Sequence, residues 1–227
     1  MPLISPVPVQ LDPGDVVRVL RLDRRPGGKR AAGPLLAEAA SLLRPRAFYR
    51  EAFIESRSAE GLTIGGRFFR SRLLRGQAGR ALKVFAFVLT IGPEMEEAAV
   101  RAKDLLHRYD LETLADMAVE AAAAALGERL AGASGLGRLA ALSPGTVEDW
   151  PVTEQVPLFA LLGDGPGRAG VRLTNSMMMI PRKSVSGLLF PSKETFLSCR
   201  LCSRRSCPSR KAPPDPELRR RLGDRKA

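Results

Sequence analysis

The sequence has few of the residues on which much enzyme chemistry depends. His107 is the only histidine among the 227 residues, so one chain cannot build a metal site from several histidines. A Ser-His-Asp triad would have to include His107, which lies in a helical stretch with no nucleophile motif nearby. No G-x-G-x-x-G follows a strand, and G-x-x-x-x-G-K-[ST] is absent, so the nucleotide-loop interpretations have no support. We expect His107 to be a surface residue of a helix.

Cysteines and long apolar runs are also scarce. The three cysteines form one C-x2-C-x4-C group near the C-terminus, and an odd count argues against a disulfide framework. No apolar run approaches the ~20 residues that span a bilayer. The N-terminus has neither the basic start nor the apolar stretch of a secretion signal. We therefore expect a cytoplasmic protein with no membrane association.

Positive charge is abundant, with a formal net charge of +12. Residues 199–227 contain ten Lys/Arg and three Asp/Glu, which gives this segment a net charge of +7. The sequence predicts a main domain over residues 1–198 and a Cys/Arg-rich tail over residues 199–227 that is partly disordered or metal-binding. Such a tail suits an anionic partner, although a solvated tail without a partner explains the charge equally simply.

Hydrophobic patterning predicts an α+β fold. Apolar spacing, capping residues and propensity favour helices at 33–43, 91–106, 110–130 and 153–162. Strand patterns cover 47–56, 81–90 and part of 171–190, whereas 15–22 suits either state. The strands are separated by unequal helical stretches without a regular βαβ repeat, so we expect an antiparallel sheet flanked by helices.

Three motifs occur in one order along the chain. They are LADMAVEAAAAAL from Leu114, SPGTVEDWPVTEQ from Ser143 and LTNSMMMIPRKSVSG from Leu173. Together they resemble the activation domain of cobalamin-dependent methionine synthase. The resemblance covers roughly residues 109–190, and it extends only loosely to the N-terminal half.

The resemblance implies a function. Domains of this family bind S-adenosylmethionine (AdoMet) and present its methyl group to a cobalamin that has been oxidised to Co(II), while flavodoxin or a similar donor supplies an electron. No folate, homocysteine or cobalamin module is recognisable here, so the chain resembles free-standing family members. The expected partners are a corrinoid protein, or a methionine synthase that lacks its activation domain, and an acidic electron donor such as flavodoxin or ferredoxin. Nucleic acid is not an expected partner.

The resemblance also implies site residues. Glu120 would contact the amino-acid part of AdoMet, because a carboxylate complements an ammonium group. The remaining matched positions would offer backbone groups, adaptable apolar surface or pocket walls; they are Ser143, Pro144, Gly145, Thr146, Met179, Ser184 and Ser186. Asp116, one turn before Glu120, is interpreted as part of a solvated stripe. The family's arginine falls on Ala141 and its tyrosine on Thr146.

The cysteine group predicts a metal centre. Cys199, Cys202 and Cys207 could hold three irons of a [4Fe-4S] cluster, or zinc with a fourth ligand from elsewhere. Nearby arginines stabilise thiolates, and members of the resembled family often have such a cluster. Iron–sulfur is favoured over zinc, because the tail has little apolar sequence to fold around a structural metal. Free cysteines remain the alternative.

Two other functions are consistent with parts of the sequence. A basic binding module would use its Cys/Arg tail to hold a partner or nucleic acid and would have lost AdoMet binding. A small-molecule methyltransferase would use AdoMet as well, but the chain lacks the glycine-rich strand-to-helix loop that is common in such enzymes. Reactivation of a corrinoid protein is the function that the motifs favour.

Overall fold

The computed structural model describes residues 3–192, 198–201, 210 and 212–218, and it contains both strands and helices. The strands are β1 Leu3–Ile4, β2 Arg46–Arg57, β3 Gly61–Ile64, β4 Arg67–Arg70, β5 Lys83–Thr90, β6 Leu139–Leu142, β7 Arg172–Leu173, β8 Met179–Ile180 and β9 Ser184–Pro191. The α-helices are α1 Pro13–Val19, α2 Gly28–Leu42, α3 Arg72–Ala78, α4 Glu94–Arg101, α5 Leu105–Ser134, α6 Gln155–Leu162 and α7 Gly165–Arg168.

Seven strands form the main sheet. Its strand order is β4-β3-β2-β5-β9-β6, and β1 pairs with the start of β2. The pairs β1–β2, β2–β3, β3–β4 and β6–β9 are antiparallel. Gly65 and Gly66 join β3 to β4 with positive φ at both residues, the backbone that a tight two-residue hairpin requires. β7 and β8 form a separate antiparallel hairpin.

The chain divides into two compact units, each assembled from distant segments. The first unit contains Met1–Phe48, Val88–Leu126 and Asp164–Val185. Its core combines apolar side chains of α1, α2, α4 and α5. Along α5, residues 111, 114, 115 and 118 are buried, and this spacing places them on one helical face.

The second unit contains Tyr49–Phe87, Gly127–Gly163 and Ser186–Ala227. Its largest fully buried side chain is Trp150, whose ring packs edge-on against Phe69 with 6.4 Å between centroids. Ser71 caps α3 by accepting a hydrogen bond from the Leu74 N–H at 2.9 Å. Helix α3 packs on β3 and helix α6 on β4.

The predicted α+β class, an antiparallel sheet flanked by helices, is confirmed. Several element boundaries differ from the prediction. Helix α2 begins at Gly28, so Pro34 lies inside it rather than near its start. The predicted helix over 91–106 is divided between α4 and α5, because the chain is extended at Ala102. Helix α5 continues to Ser134, four residues beyond the end of the predicted helix over 110–130.

None of the helices in the described part of the chain has the length and apolar character needed to cross a membrane. The boundary expected at residue 198 stays a prediction, because much of the segment beyond it lies outside the described residues.

A glycine in the first unit provides a test of packing. A Cβ atom on Gly165 would overlap the ring of Phe48, which is fully buried. Gly165→Ala should therefore lower the free energy of unfolding by about 1–3 kcal/mol, the usual cost of overpacking. Urea unfolding followed by circular dichroism measures the change.

The matched control is Gly33→Ala on α2. No atom lies within 4 Å of a Cβ added there. This substitution should raise the free energy of unfolding by about 0.4–1 kcal/mol, because alanine restricts the unfolded chain. Equal effects of the two substitutions would contradict the packing described around Gly165.

Candidate functional site

In the first unit, Lys183 is the centre of a charged cluster. Its Nζ lies 2.7 Å from Asp116 Oδ1 and 2.8 Å from Glu112 Oε2, and it donates to the Glu112 carbonyl oxygen at 3.1 Å. Its backbone N–H donates to Glu96 Oε1 at 2.7 Å, and its carbonyl accepts from the Ile91 N–H at 3.2 Å. The residues just before β9 are therefore held to both α4 and α5.

The cluster changes the protonation equilibria of its members. The hydrogen bond from Lys183 is the main reason that the pKa of Glu112 is lowered from its ordinary value of 4.5, although burial acts in the opposite direction. Burial alone would lower the pKa of Lys183, but the hydrogen bonds to Asp116 and Glu112 outweigh it and raise that pKa above 10.5. Both groups are therefore charged at neutral pH.

The residues that precede this cluster form a hairpin turn between β7 and β8. Thr174 closes it: its Oγ1 accepts from the Met178 N–H and donates to the Met178 carbonyl, both at 3.0 Å. Met177 has a φ of 64°, a backbone that side-chain-bearing residues seldom adopt. Of the three consecutive methionines within the predicted strand region 171–190, only Met179 lies in a strand, β8.

The predicted site residues of the first unit lie on different elements. Glu120 is exposed on α5, one turn after Asp116. Met179 is half-buried in β8. Ser184 begins β9, and its Oγ donates to the Pro181 carbonyl at 2.6 Å. Lys183 directly precedes Ser184, and it contacts Asp116, which lies one helical turn before Glu120 on α5.

Asp116 is exposed, as the interpretation of a solvated stripe requires, but it also pairs with Lys183. His107 is half-buried on α5 and lies 3.2 Å from Glu38 Oε1.

In the second unit, residues 143–146 form a tight turn after β6. The Thr146 hydroxyl donates to the Ser143 carbonyl at 2.6 Å, and the Thr146 N–H donates to the same oxygen at 3.2 Å. Gly145 has a φ of 84°, and its N–H donates to the Trp150 carbonyl at 2.7 Å. Pro144 is buried, whereas Gly145 and Thr146 are exposed. The turn therefore presents backbone at the surface of a rigid loop.

β9 brings a second motif against this turn. A Cβ on Gly187 would overlap the Leu142 carbonyl and stand 2.9 Å from Ser143 Oγ, so only glycine allows this approach. Ser186 is 2% exposed, and its Oγ has no hydrogen-bond partner among the described residues. Two motifs that are separate in the sequence therefore meet at Ser143 and Gly187.

Sequence reasoning missed an arginine-lined cavity in the second unit. Its volume is about 590 Å³, and its lining includes Arg70, Arg72 and Arg75 together with Asp149 and Glu154. A compositional signal was available: residues 61–93 contain six Lys/Arg and no Asp/Glu. Of the nine described residues that line this cavity, none is among the predicted AdoMet contacts.

Of the predicted metal ligands, only Cys199 lies within the described residues. It is a free, half-buried cysteine, and its carbonyl oxygen accepts from Arg210 Nη1 at 3.4 Å. Arg200 pairs with Asp215 at 2.6 Å, which joins the chain on either side of the remaining cysteines. Cys202 and Cys207 lie outside the described residues. Within those residues, no group of three or more His, Cys, Asp or Glu is placed to hold a metal ion.

Comparison with known proteins gives a structural likeness. No protein-family model matches the sequence, and no curated protein matches it significantly. The fold is similar to the crystal structure of the MetH reactivation domain bound to AdoHcy, with a TM-score of 0.58 and 18% sequence identity. The alignment covers 87% of this chain and 80% of that chain. At this identity the likeness establishes the fold.

The Lys183 cluster predicts a pH-dependent stability. Lys183→Met should lower the free energy of unfolding at neutral pH by about 1–3 kcal/mol, because charge-assisted hydrogen bonds to Glu112 and Asp116 are lost. Since the pKa of Glu112 is lower in the folded protein, the stability it contributes is present above about pH 4.5 and is lost as the pH falls through the folded-state pKa. The difference between wild type and variant should therefore shrink as the pH falls below about 4.5.

At high pH the sign is reversed, because the pKa of Lys183 is raised. Its contribution is complete below about pH 10.5 and is lost as the pH rises through the folded-state pKa. Urea unfolding across both ranges measures these slopes. The control is Arg182→Met, whose half-exposed side chain should contribute less than about 1 kcal/mol. A larger effect of Arg182→Met than of Lys183→Met would refute the central role of Lys183.

Proposed function

We propose that this protein binds AdoMet and reactivates a corrinoid protein in trans. The observation that carries the proposal is the similarity of its fold to a reactivation domain whose crystal structure is described as bound to AdoHcy, the demethylated form of AdoMet. The ordered match of three sequence motifs supports the same assignment independently. A corrinoid protein, or a methionine synthase without its own activation domain, is the proposed partner.

The proposed reaction needs two reactants besides the partner protein: a one-electron donor and AdoMet. One electron from flavodoxin, ferredoxin or a similar acidic donor reduces the partner's Co(II) corrinoid to the Co(I) state. The methyl group of AdoMet then passes to that cobalt as CH₃⁺, the sulfur keeps the electron pair of the broken bond, and AdoHcy is the product. The chain contributes binding and orientation of the methyl donor, which raises the effective concentration of the two reactants.

Within the first unit, Glu120 is the proposed contact for the AdoMet ammonium group. Glu120 is exposed on α5, so a ligand can reach it. Helix α5 is fixed near this point by the Asp116–Lys183 contact at 2.7 Å. Met179 and Ser184 are the proposed neighbours on β8 and β9.

Within the second unit, the turn at Ser143, Pro144, Gly145 and Thr146 is the proposed contact for polar groups of the ligand. The positive φ of Gly145 and the absence of a side chain there allow close approach of a ligand to the backbone. Ser186 has a buried hydroxyl without a partner among the described residues, and a bound polar group would satisfy it. The residues present therefore fit a small polar ligand, although Ala141 cannot supply the guanidinium of the resembled family.

We also propose that Cys199, Cys202 and Cys207 bind an iron–sulfur cluster that delivers the electron, with zinc as the less favoured metal. Three thiolates suit either metal. Cys199 is free and half-buried. A cluster with three protein ligands leaves one iron for an external ligand.

A basic binding module is the alternative function, and the net charge of +12 favours it. Such a protein would bind a polyanion in a salt-dependent manner and would not bind AdoMet. The two functions therefore predict opposite outcomes of a titration with AdoMet: saturable binding for the reactivation protein and no binding for the basic module.

Calorimetric titration of the anaerobically purified protein should show saturable AdoMet binding. Glu120→Gln should weaken binding by roughly 1.5–3 kcal/mol, because a charge-assisted hydrogen bond to the ammonium group is lost. Glu128→Gln is the matched control, since Glu128 is another exposed carboxylate on α5. Unchanged affinity in folded Glu120→Gln would remove Glu120 from the site.

The same variants test reactivation. The visible spectrum of a Co(II) corrinoid protein, given reductant and AdoMet, should convert to the methylated form faster with this protein than without it. Glu120→Gln should slow the conversion in proportion to its weaker AdoMet binding, whereas Glu128→Gln should not. Equal rates with and without the protein would exclude the reactivation function, even if AdoMet binds.

The metal proposal has its own measurement. Protein purified without oxygen should contain stoichiometric iron and sulfide, and Cys202→Ser should lose both because one of three ligands is removed. Cys202→Ser should also lose reactivation while still binding AdoMet. Zinc without sulfide would indicate a structural metal instead, and no metal after anaerobic reconstitution would exclude the centre.

A further inference from the structure

The arginine-lined cavity of the second unit is separate from the residues assigned to AdoMet. It lies between the start of α3, the chain before β3 and the loop that follows Trp150. Its volume of about 590 Å³ is within the range of small-molecule sites. Three guanidinium groups line it, from Arg70, Arg72 and Arg75.

Two of the carboxylates in the cavity are already engaged by neutral donors. Asp149 Oδ2 accepts from the Ser71 hydroxyl at 2.6 Å and from the Leu73 N–H at 2.8 Å. Glu154 Oε2 accepts from the Arg70 N–H at 3.0 Å. These contacts tie the carboxylates to the main chain at the start of α3. The N–H of Leu73, at the N-terminus of α3, therefore already has a carboxylate partner within the protein. The groups of the cavity that remain for a ligand are the arginine side chains.

The ion pairs that Arg70 and Arg72 make with carboxylates of the cavity lining are weak. Arg72 Nε lies 3.9 Å from Asp149 Oδ1, which is too long for a hydrogen bond. Arg70 lies 3.4 Å from Glu60, and both side chains are more than 60% exposed, so the pair is easily replaced. The Nε–H of Arg75 is shielded from solvent and has no partner among the described residues. A buried donor of this kind requires an acceptor.

We propose that this cavity binds a small phosphate-bearing molecule, with Arg75 and Arg70 as the principal contacts. The planar guanidinium group donates two parallel hydrogen bonds to a phosphate. A phosphate group also displaces Glu60 from Arg70 at little cost, because that ion pair is exposed. The site goes beyond the reactivation function, since neither AdoMet nor AdoHcy carries a phosphate.

The experiment is calorimetric titration of the full-length protein with pyrophosphate at fixed ionic strength. Wild type should bind one equivalent saturably. Arg75→Gln and Arg70→Gln should each weaken binding at least tenfold, while Glu60→Gln should tighten it severalfold by removing a competing anion. Arg70 is mostly exposed, so Arg70→Gln still tests the site if Arg75→Gln does not fold.

The matched control is Arg67→Gln, which removes the same charge from β4 at a position outside the cavity lining. It should change the affinity less than about twofold. Absence of saturable binding, or equal losses in Arg67→Gln and Arg75→Gln, would overturn the proposal. A second arm uses single-stranded oligonucleotides: affinity that rises with oligonucleotide length and exceeds that for pyrophosphate would indicate a nucleic-acid surface and would overturn it as well.

Discussion

The position of one lysine side chain fixes the residues that lead into β9 in the first unit. Lys183 is 12% exposed at its side chain and is surrounded by Glu112, Asp116 and the backbone of the chain before α4. A partly buried ammonium group is stable only when such partners compensate its lost hydration. Its main chain is also bound, through Glu96 and Ile91, so both the backbone and the side chain are fixed at one point. β9 starts at the next residue, Ser184.

The elements that the sequence predicted well are those whose pattern is local. The periodicity within 110–130 and the alternation within 47–56 each reflect one buried face, which tertiary packing reinforces. The Lys183 cluster could not be predicted from a local sequence pattern. The partners of the Lys183 side chain lie 67 to 71 residues away, and a single charged residue gives no local sign of which helix it will meet. Asp116 illustrates the limit: its exposure was correctly predicted, but its ion pair was not.

The segment with three methionines shows how a turn residue can override a pattern of strand formers. Thr174 takes part in five hydrogen bonds within residues 174–178, through its backbone N–H, its carbonyl and its hydroxyl, and these close the hairpin. Met177 takes the left-handed backbone as a result, and Met178 is 48% exposed. The methionines therefore cannot form one buried strand face. Side-chain-to-backbone bonds of this type compete with a sheet ladder, and propensity scales do not include them.

The loop from Ser143 to Glu154 is held at several points, and this explains how it can keep an unusual backbone at the surface. Trp150 is fully buried, and its carbonyl accepts the Gly145 N–H. Asp149 and Glu154 bind the main chain at the start of α3. Each contact fixes a different part of the loop, so Gly145 keeps its positive φ without help from a ligand. A binding loop that is rigid before the ligand arrives loses little conformational entropy on binding. The buried tryptophan and the two carboxylates therefore support the backbone of the turn that we propose as a ligand contact.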